Sequence, residues 1–194
     1  MNLAQRKLIA RTFAFCAMIT LAIVGCDSVS IDKPIGQKIG ESQRKLLIGR
    51  WETHDHNLIE LRWHSSGYLV AGTASWDDKN QQFKASNEKI EMRTIGDSAY
   101  AFMATDGRYS FARIEFQDDD HIRIYPAEPD KFRSAVENGL LPGTVQEKER
   151  YFNVFVDSSN EKTIAFFKST DWKHYFHDDP KMVLVRRPSP ENDP

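Results

Sequence analysis

Two short polar clusters hold the side chains best suited to bind a metal or move a proton. His54, Asp55 and His56 place two imidazoles two residues apart, which on a strand would share a face, and His174, His177, Asp178 and Asp179 form the second cluster. A zinc site needs three or four convergent ligands, and neither spacing supplies them alone. Each cluster also adjoins a turn, where solvated His and Asp are common. His54, His56, His174 and His177 therefore stand as candidates only, and no metal is assigned. Asp118, Asp119 and Asp120 pair carboxylates, yet three in succession read as turn formers rather than as a general acid and base. The chain has no Gly-x-Ser-x-Gly elbow, no His-Glu-x-x-His helix and no phosphate-cradling glycine loop. No catalytic residue is assigned, and the expectation is a protein that is not an enzyme.

The one residue whose surroundings announce a covalent event is Cys26. Arg6, Lys7 and Arg11 precede any acidic residue, and Thr12 to Val24 form an apolar run of 13 residues, the order of a secretory signal. A membrane span needs roughly 20 apolar residues, and Asp27, Ser28 and Ser30 interrupt any continuation. The sequence Ile23-Val24-Gly25-Cys26 resembles the lipobox of bacterial lipoproteins. That resemblance implies cleavage between Gly25 and Cys26, a diacylglyceryl group on the Cys26 sulfur and an acyl group on its new amino terminus. Two or three chains anchor a protein stably where one, at about 0.8 kcal/mol per buried methylene, holds it marginally. Cys16 is no rival, because bulky Phe15 precedes it. Asp27 resembles the residue that retains such proteins in the inner membrane. The implied address is the periplasmic face of that membrane, with the outer membrane or a Gram-positive surface as the other possibilities.

Without residues 1–25 the chain keeps 169 residues, a length for one domain. Loss of Arg6, Lys7 and Arg11 leaves 23 of the 26 basic residues against 28 acidic ones, a formal charge of −5. Such a balance argues against sequence-independent nucleic-acid binding, which rests on clustered Lys and Arg. With Cys16 removed and Cys26 acylated, no thiol remains for a disulfide or a thiolate ligand.

Residues 26–42 contain Pro34, Gly36, Gly40 and no sustained apolar period, and read as a lipidated flexible tether that would float the domain roughly 20–25 Å from the bilayer. Residues 188–194, with three prolines, read as a disordered tail. Between them, residues 43–187 alternate apolar and polar over short runs separated by turn residues. Strands are expected at Asn57 to Trp63, Tyr68 to Trp76, Lys89 to Ile95, Ser98 to Ala104, Arg108 to Phe116 and His121 to Tyr125, a meander of antiparallel hairpins. The face of Phe111, Arg113 and Glu115 is expected to meet solvent or a partner. Pro129 to Asn138 reads as a short helix ending at Gly139. Tyr151 to Val156 returns to strand. Ser158 and Glu161 resemble a capping box, opening a second helical stripe through Ile164, Phe167, Trp172, Tyr175 and Phe176, and Met182 to Arg187 closes as a strand.

Gly49-Arg50-Trp51 resembles the Gly-x-Trp of lipocalin-like barrels, in which the Trp of the first strand closes the barrel floor. The resulting expectation is an α+β, mainly β protein: an antiparallel meander sheet or partial β-barrel with two short helices packed on it. Trp51, Trp63 and Trp76 are the residues that would line a ligand pocket if the core were not filled. Three functions follow. The first is a membrane-anchored envelope lipoprotein whose non-enzymatic domain binds another envelope protein or serves a structural role; the alternative is a lipocalin-like carrier of a small apolar molecule, and the last is a hydrolase with a scattered site.

Overall fold

The computed structural model describes residues 27–77 and 81–188. Cys26 and the residues before it, like 189–194, lie outside them. Among the described residues, twelve strands and three short helices follow one another. Eight strands close a barrel: β3 (Gly49–Thr53), β4 (Leu58–Trp63), β5 (Leu69–Asp77), β6 (Gln82–Ile95), β7 (Ser98–Thr105), β8 (Arg108–Phe116), β9 (His121–Pro126) and β12 (Met182–Arg187). Every neighbouring pair is antiparallel, and β12 completes the ring by pairing with both β3 and β9. The expected meander is present, and it closes fully.

Strand alternation divides the apolar residues into two cores. Trp51, Ile59, Leu61, Leu69, Ala71, Met92, Ala99, Ile114, Ile122 and Leu184 point into the barrel and pack together. Tyr100 and Phe102 alternate with Ala99 and face outward, where Phe111 joins them. That outer face is buried: α2 (Pro129–Glu137), α3 (Glu161–Lys168) and a 3₁₀ turn (Thr170–Tyr175) bring Phe132, Phe167 and Phe176 onto it. Phe111 meets Phe132 and Phe167 edge-on with centroids 5.4 Å and 5.8 Å apart. The expectation of a solvent-facing Phe111–Arg113 stripe is therefore corrected. Arg113 lies over the Tyr125 ring at 4.2 Å, within the covered wall. Helix α3 takes its N-cap from Asn160, which accepts from Lys162 N–H at 3.0 Å, rather than from Ser158.

The largest departure from the sequence reading is residues 27–42. They do not form a free tether. β1 (Ser28–Ile31) runs parallel to β11 (Phe152–Val156), which pairs in turn with β10 (Gly143–Glu147), and β1 joins this extension to the barrel by pairing with β8 at Ile31 and Tyr109, so that it covers the outer core. Ile31 is fully buried. β2 (Gln37–Lys38) then pairs with β6, and α1 (Glu41–Leu47) follows. The reason is visible in the burial of Val29, Ile31, Ile35 and Ile39, apolar residues too widely spaced to show a period but each docked on a surface made elsewhere in the chain. Parallel pairing of β1 with β11, 125 residues away, is likewise invisible to local pattern.

Candidate functional site

The lower end of the barrel is sealed by residues that meet across long sequence separations. α1 lays Leu47 onto the inner core, with Ile39 beside it, both buried. Trp51, the Trp of the Gly-x-Trp segment, is fully buried on the first barrel strand and donates its indole N–H to the Leu47 carbonyl at 2.9 Å. Arg186 stands opposite Trp51 in the β12–β3 register, its guanidinium over the indole at 4.3 Å. The same guanidinium donates to Leu46 O at 2.6 Å, Ile48 O at 2.9 Å and Asp119 O at 2.9 Å. One cation thus ties the helix, the last strand and the β8–β9 turn to the floor. Asp118, Asp119 and Asp120 belong to that turn. Asp118 accepts from His121, which, with the Asp120 N–H, holds its carboxyl below the usual range.

Toward the upper end the inward-facing residues change character. Register and alternation line Ile90, Met103 and Ser110 along one course, and Met92, Ala101, Ala112 and Pro126 along the next. Ala101 and Ala112 face each other in mid-wall and are only partly buried. Ile90, Met103, Ile124 and Met182, on the inner face as well, are also only partly buried. Thr73 and Ser86 share a hydrogen bond of 2.7 Å on the same wall. Small side chains on β7 and β8 thus stand where larger ones stand at the floor.

Of the three tryptophans expected to line a pocket, two enter the inner face. Trp51 serves the floor, and Trp63 is half-buried with Arg44 over its ring at 4.8 Å. Trp76 is not brought to them by the backbone. It pairs with Phe83 in the β5–β6 arm, past Thr73, the last β5 residue registered with β4.

The histidine clusters stay apart. His54 contacts Asp55 at 3.2 Å, and His56, held at a positive φ of 62° in the β3–β4 turn, contacts Glu52 at 2.5 Å. His174 is exposed, whereas His177 is half-buried against Glu128 at 2.5 Å. Burial lowers the His177 imidazole below its usual range, with the Glu128 carboxylate acting the other way. Among the described residues no three His, Cys, Asp or Glu side chains converge as metal ligands.

What fold and site define is an eight-stranded up-and-down β-barrel with a plugged floor, an outer wall covered by helices, and an upper interior whose Ile90, Ala101, Met103 and Ala112 are only partly buried. No family model, no curated protein and no solved structure matches the chain.

Proposed function

We propose that this protein is a lipid-anchored carrier of the lipocalin-like kind, holding a small apolar molecule in the upper half of its barrel. The observation that carries the reading is the pair Ala101 and Ala112, small residues opposite each other inside a closed barrel wall and only partly buried. Ile90, Met103, Ile124 and Met182 would supply apolar contact around them. This interior favours the carrier over a domain that only docks another envelope protein, for which a filled barrel suffices.

The anchor reading rests on the Ile23–Cys26 lipobox and gains a consequence from the fold. Asp27 opens β1 without slack, so acyl chains on Cys26 would hold the domain close to the bilayer surface rather than on a leash. A carrier held there would exchange its cargo with the membrane directly.

The test pairs a ligand assay with a blocked barrel. Titration with a fluorescent apolar probe such as N-phenylnaphthylamine should give saturable enhancement, abolished in Ala101→Phe and Ala112→Phe variants whose circular dichroism is unchanged. Saturation that survives both substitutions sinks the carrier reading. Separately, Cys26→Ala should abolish metabolic labelling with palmitate.

A further inference from the structure

We propose a second site, a binding site for a phosphate group on the outside of the barrel, where β2 takes over from β5 as the neighbour of β6. The β5–β6 ladder ends at Leu69 and Ile90, and the β2–β6 ladder begins at Lys38 and Arg93. Glu91 and Met92 lie in the gap. A concavity of about 180 Å³ opens there, lined by Lys38, Ser66, Tyr68, Lys89, Glu91 and Arg93 among others.

The charge arrangement calls for an anion. Lys38 and Arg93 stand directly opposite each other in register, a like-charge placement that costs stability unless something negative lies between. Glu91 is the single carboxylate of the lining, and both of its oxygens are engaged, with Arg93 at 2.8 Å and Lys89 at 3.5 Å. Three cations against one carboxylate leave a formal surplus of two charges. Among the described residues no carboxylate pairs with Lys38, and the buried Arg93 Nε donates to nothing. The exposed Lys38 ammonium beside the turn is the donor an oxyanion in the gap would meet.

The turn beside the site is closed by its own hydrogen bonds. The β4–β5 turn is closed by Gly67 N–H donating to His64 O at 2.9 Å and Ser66 N–H to His64 Nδ1 at 3.1 Å. His64 stacks on Tyr68 with centroids 4.6 Å apart, and Lys89 Nζ lies over the Tyr68 ring at 4.7 Å. Gly67 adopts φ +87°, and a Cβ there would sit 3.5 Å from Lys38 Nζ, so the ammonium lies against the turn. The Ser66 and Tyr68 hydroxyls add donors suited to an acceptor with more than two oxygens, and the surplus of two charges matches a phosphate dianion better than a carboxylate.

The phosphate could belong to a soluble ester or to a lipid headgroup, and the probes separate the two. Inorganic phosphate, glycerol 3-phosphate and dihexanoyl phosphatidate are titrated into the detergent-solubilised protein, following the amide signals of Gly67 and Glu91. Saturable shifts should appear with at least one of them. Equal affinity for the two glycerol-containing probes assigns a soluble phosphate, and about tenfold tighter phosphatidate assigns a headgroup. Lys38→Gln and Lys89→Gln should each weaken binding about tenfold, and Glu91→Gln should strengthen it, a gain that lost structure would not produce. No shift with any probe, acetate binding as tightly as phosphate, or affinity unchanged in both lysine variants overturns the proposal. Ala112→Phe, one strand further from Met92, should leave this site intact, which keeps its fate distinct from that of the carrier reading.

Discussion

Asp27 Oδ1 accepts the backbone N–H of Phe152 at 2.8 Å, joining the first described residue to the start of β11, 125 residues away. Four residues after β1 begins, Asp32 repeats the arrangement at its far end, accepting from Ser158 N–H at 2.7 Å. Two carboxylates thus pin the ends of a strand whose middle buries Val29 and Ile31.

Asp27→Ala should destabilise the domain by about 1 kcal/mol and speed hydrogen exchange at the Phe152 amide. Asp27→Asn keeps an oxygen acceptor and should retain most of both. Comparing the two variants in cell fractionation separates a sorting role of Asp27 from its structural one: relocation in both, with only the Ala variant destabilised, marks sorting. Phe152 exchange that is identical in wild type and Asp27→Ala would show that the clamp contributes nothing.

Asp32 makes the strand sensitive to acid. Burial pushes its carboxyl upward, but the Ser158 hydrogen bonds and the Arg108 charge outweigh that and set it below the ordinary aspartate value. A depressed folded-state pKa stabilises the fold above the unfolded value, about 3.9, and the contribution fades as pH falls through the folded one. The stability difference between wild type and Asp32→Asn should therefore be constant from neutral pH down to about pH 4 and shrink below it, as read from urea midpoints across pH. A difference that does not change below pH 4 contradicts this.

Arg186→Ala should cost about 2–4 kcal/mol, since it strips Trp51 of its cover and leaves the Leu46 and Ile48 carbonyls without this donor. Arg186→Lys should recover little, because an ammonium cannot stack on the indole and reach three carbonyls in a planar fork. Thermal melts of both variants decide it; full rescue by Lys would reduce the role of Arg186 to charge alone.

Gly36→Ala should destabilise by more than about 2 kcal/mol. The residue has φ +93°, and an added Cβ would meet Thr94 O at 2.4 Å and Ile95 Cγ1 at 2.6 Å. The displaced segment is the one leading into β2, so the variant should also lose phosphate-probe shifts at Gly67 while the fluorescent apolar probe still binds. A melting temperature equal to wild type would contradict the close approach.

Local pattern carried much of the barrel. Alternation around Ile59, Leu61 and Trp63, and the Asp106-Gly107 turn, mark strands and hairpins because a strand's period and a tight turn's positive φ are satisfied within a few residues. Gly49-Arg50-Trp51 pointed to the strand that carries the floor. Three things needed the tertiary structure. The β1–β11 pairing joins segments whose complementarity exists only once both reach the same surface. Arg186 is unremarkable in sequence until ring closure sets it over Trp51. The opposition of Lys38 and Arg93 arises where β2 docks, from a register no periodicity encodes. Sequence alone marked the meander strands of the barrel and their turns, because each is written within a short window. Closure, the two cores and the juxtaposed charges were decided by contacts between distant segments, whose free energy comes from burial and hydrogen bonding that no single segment possesses.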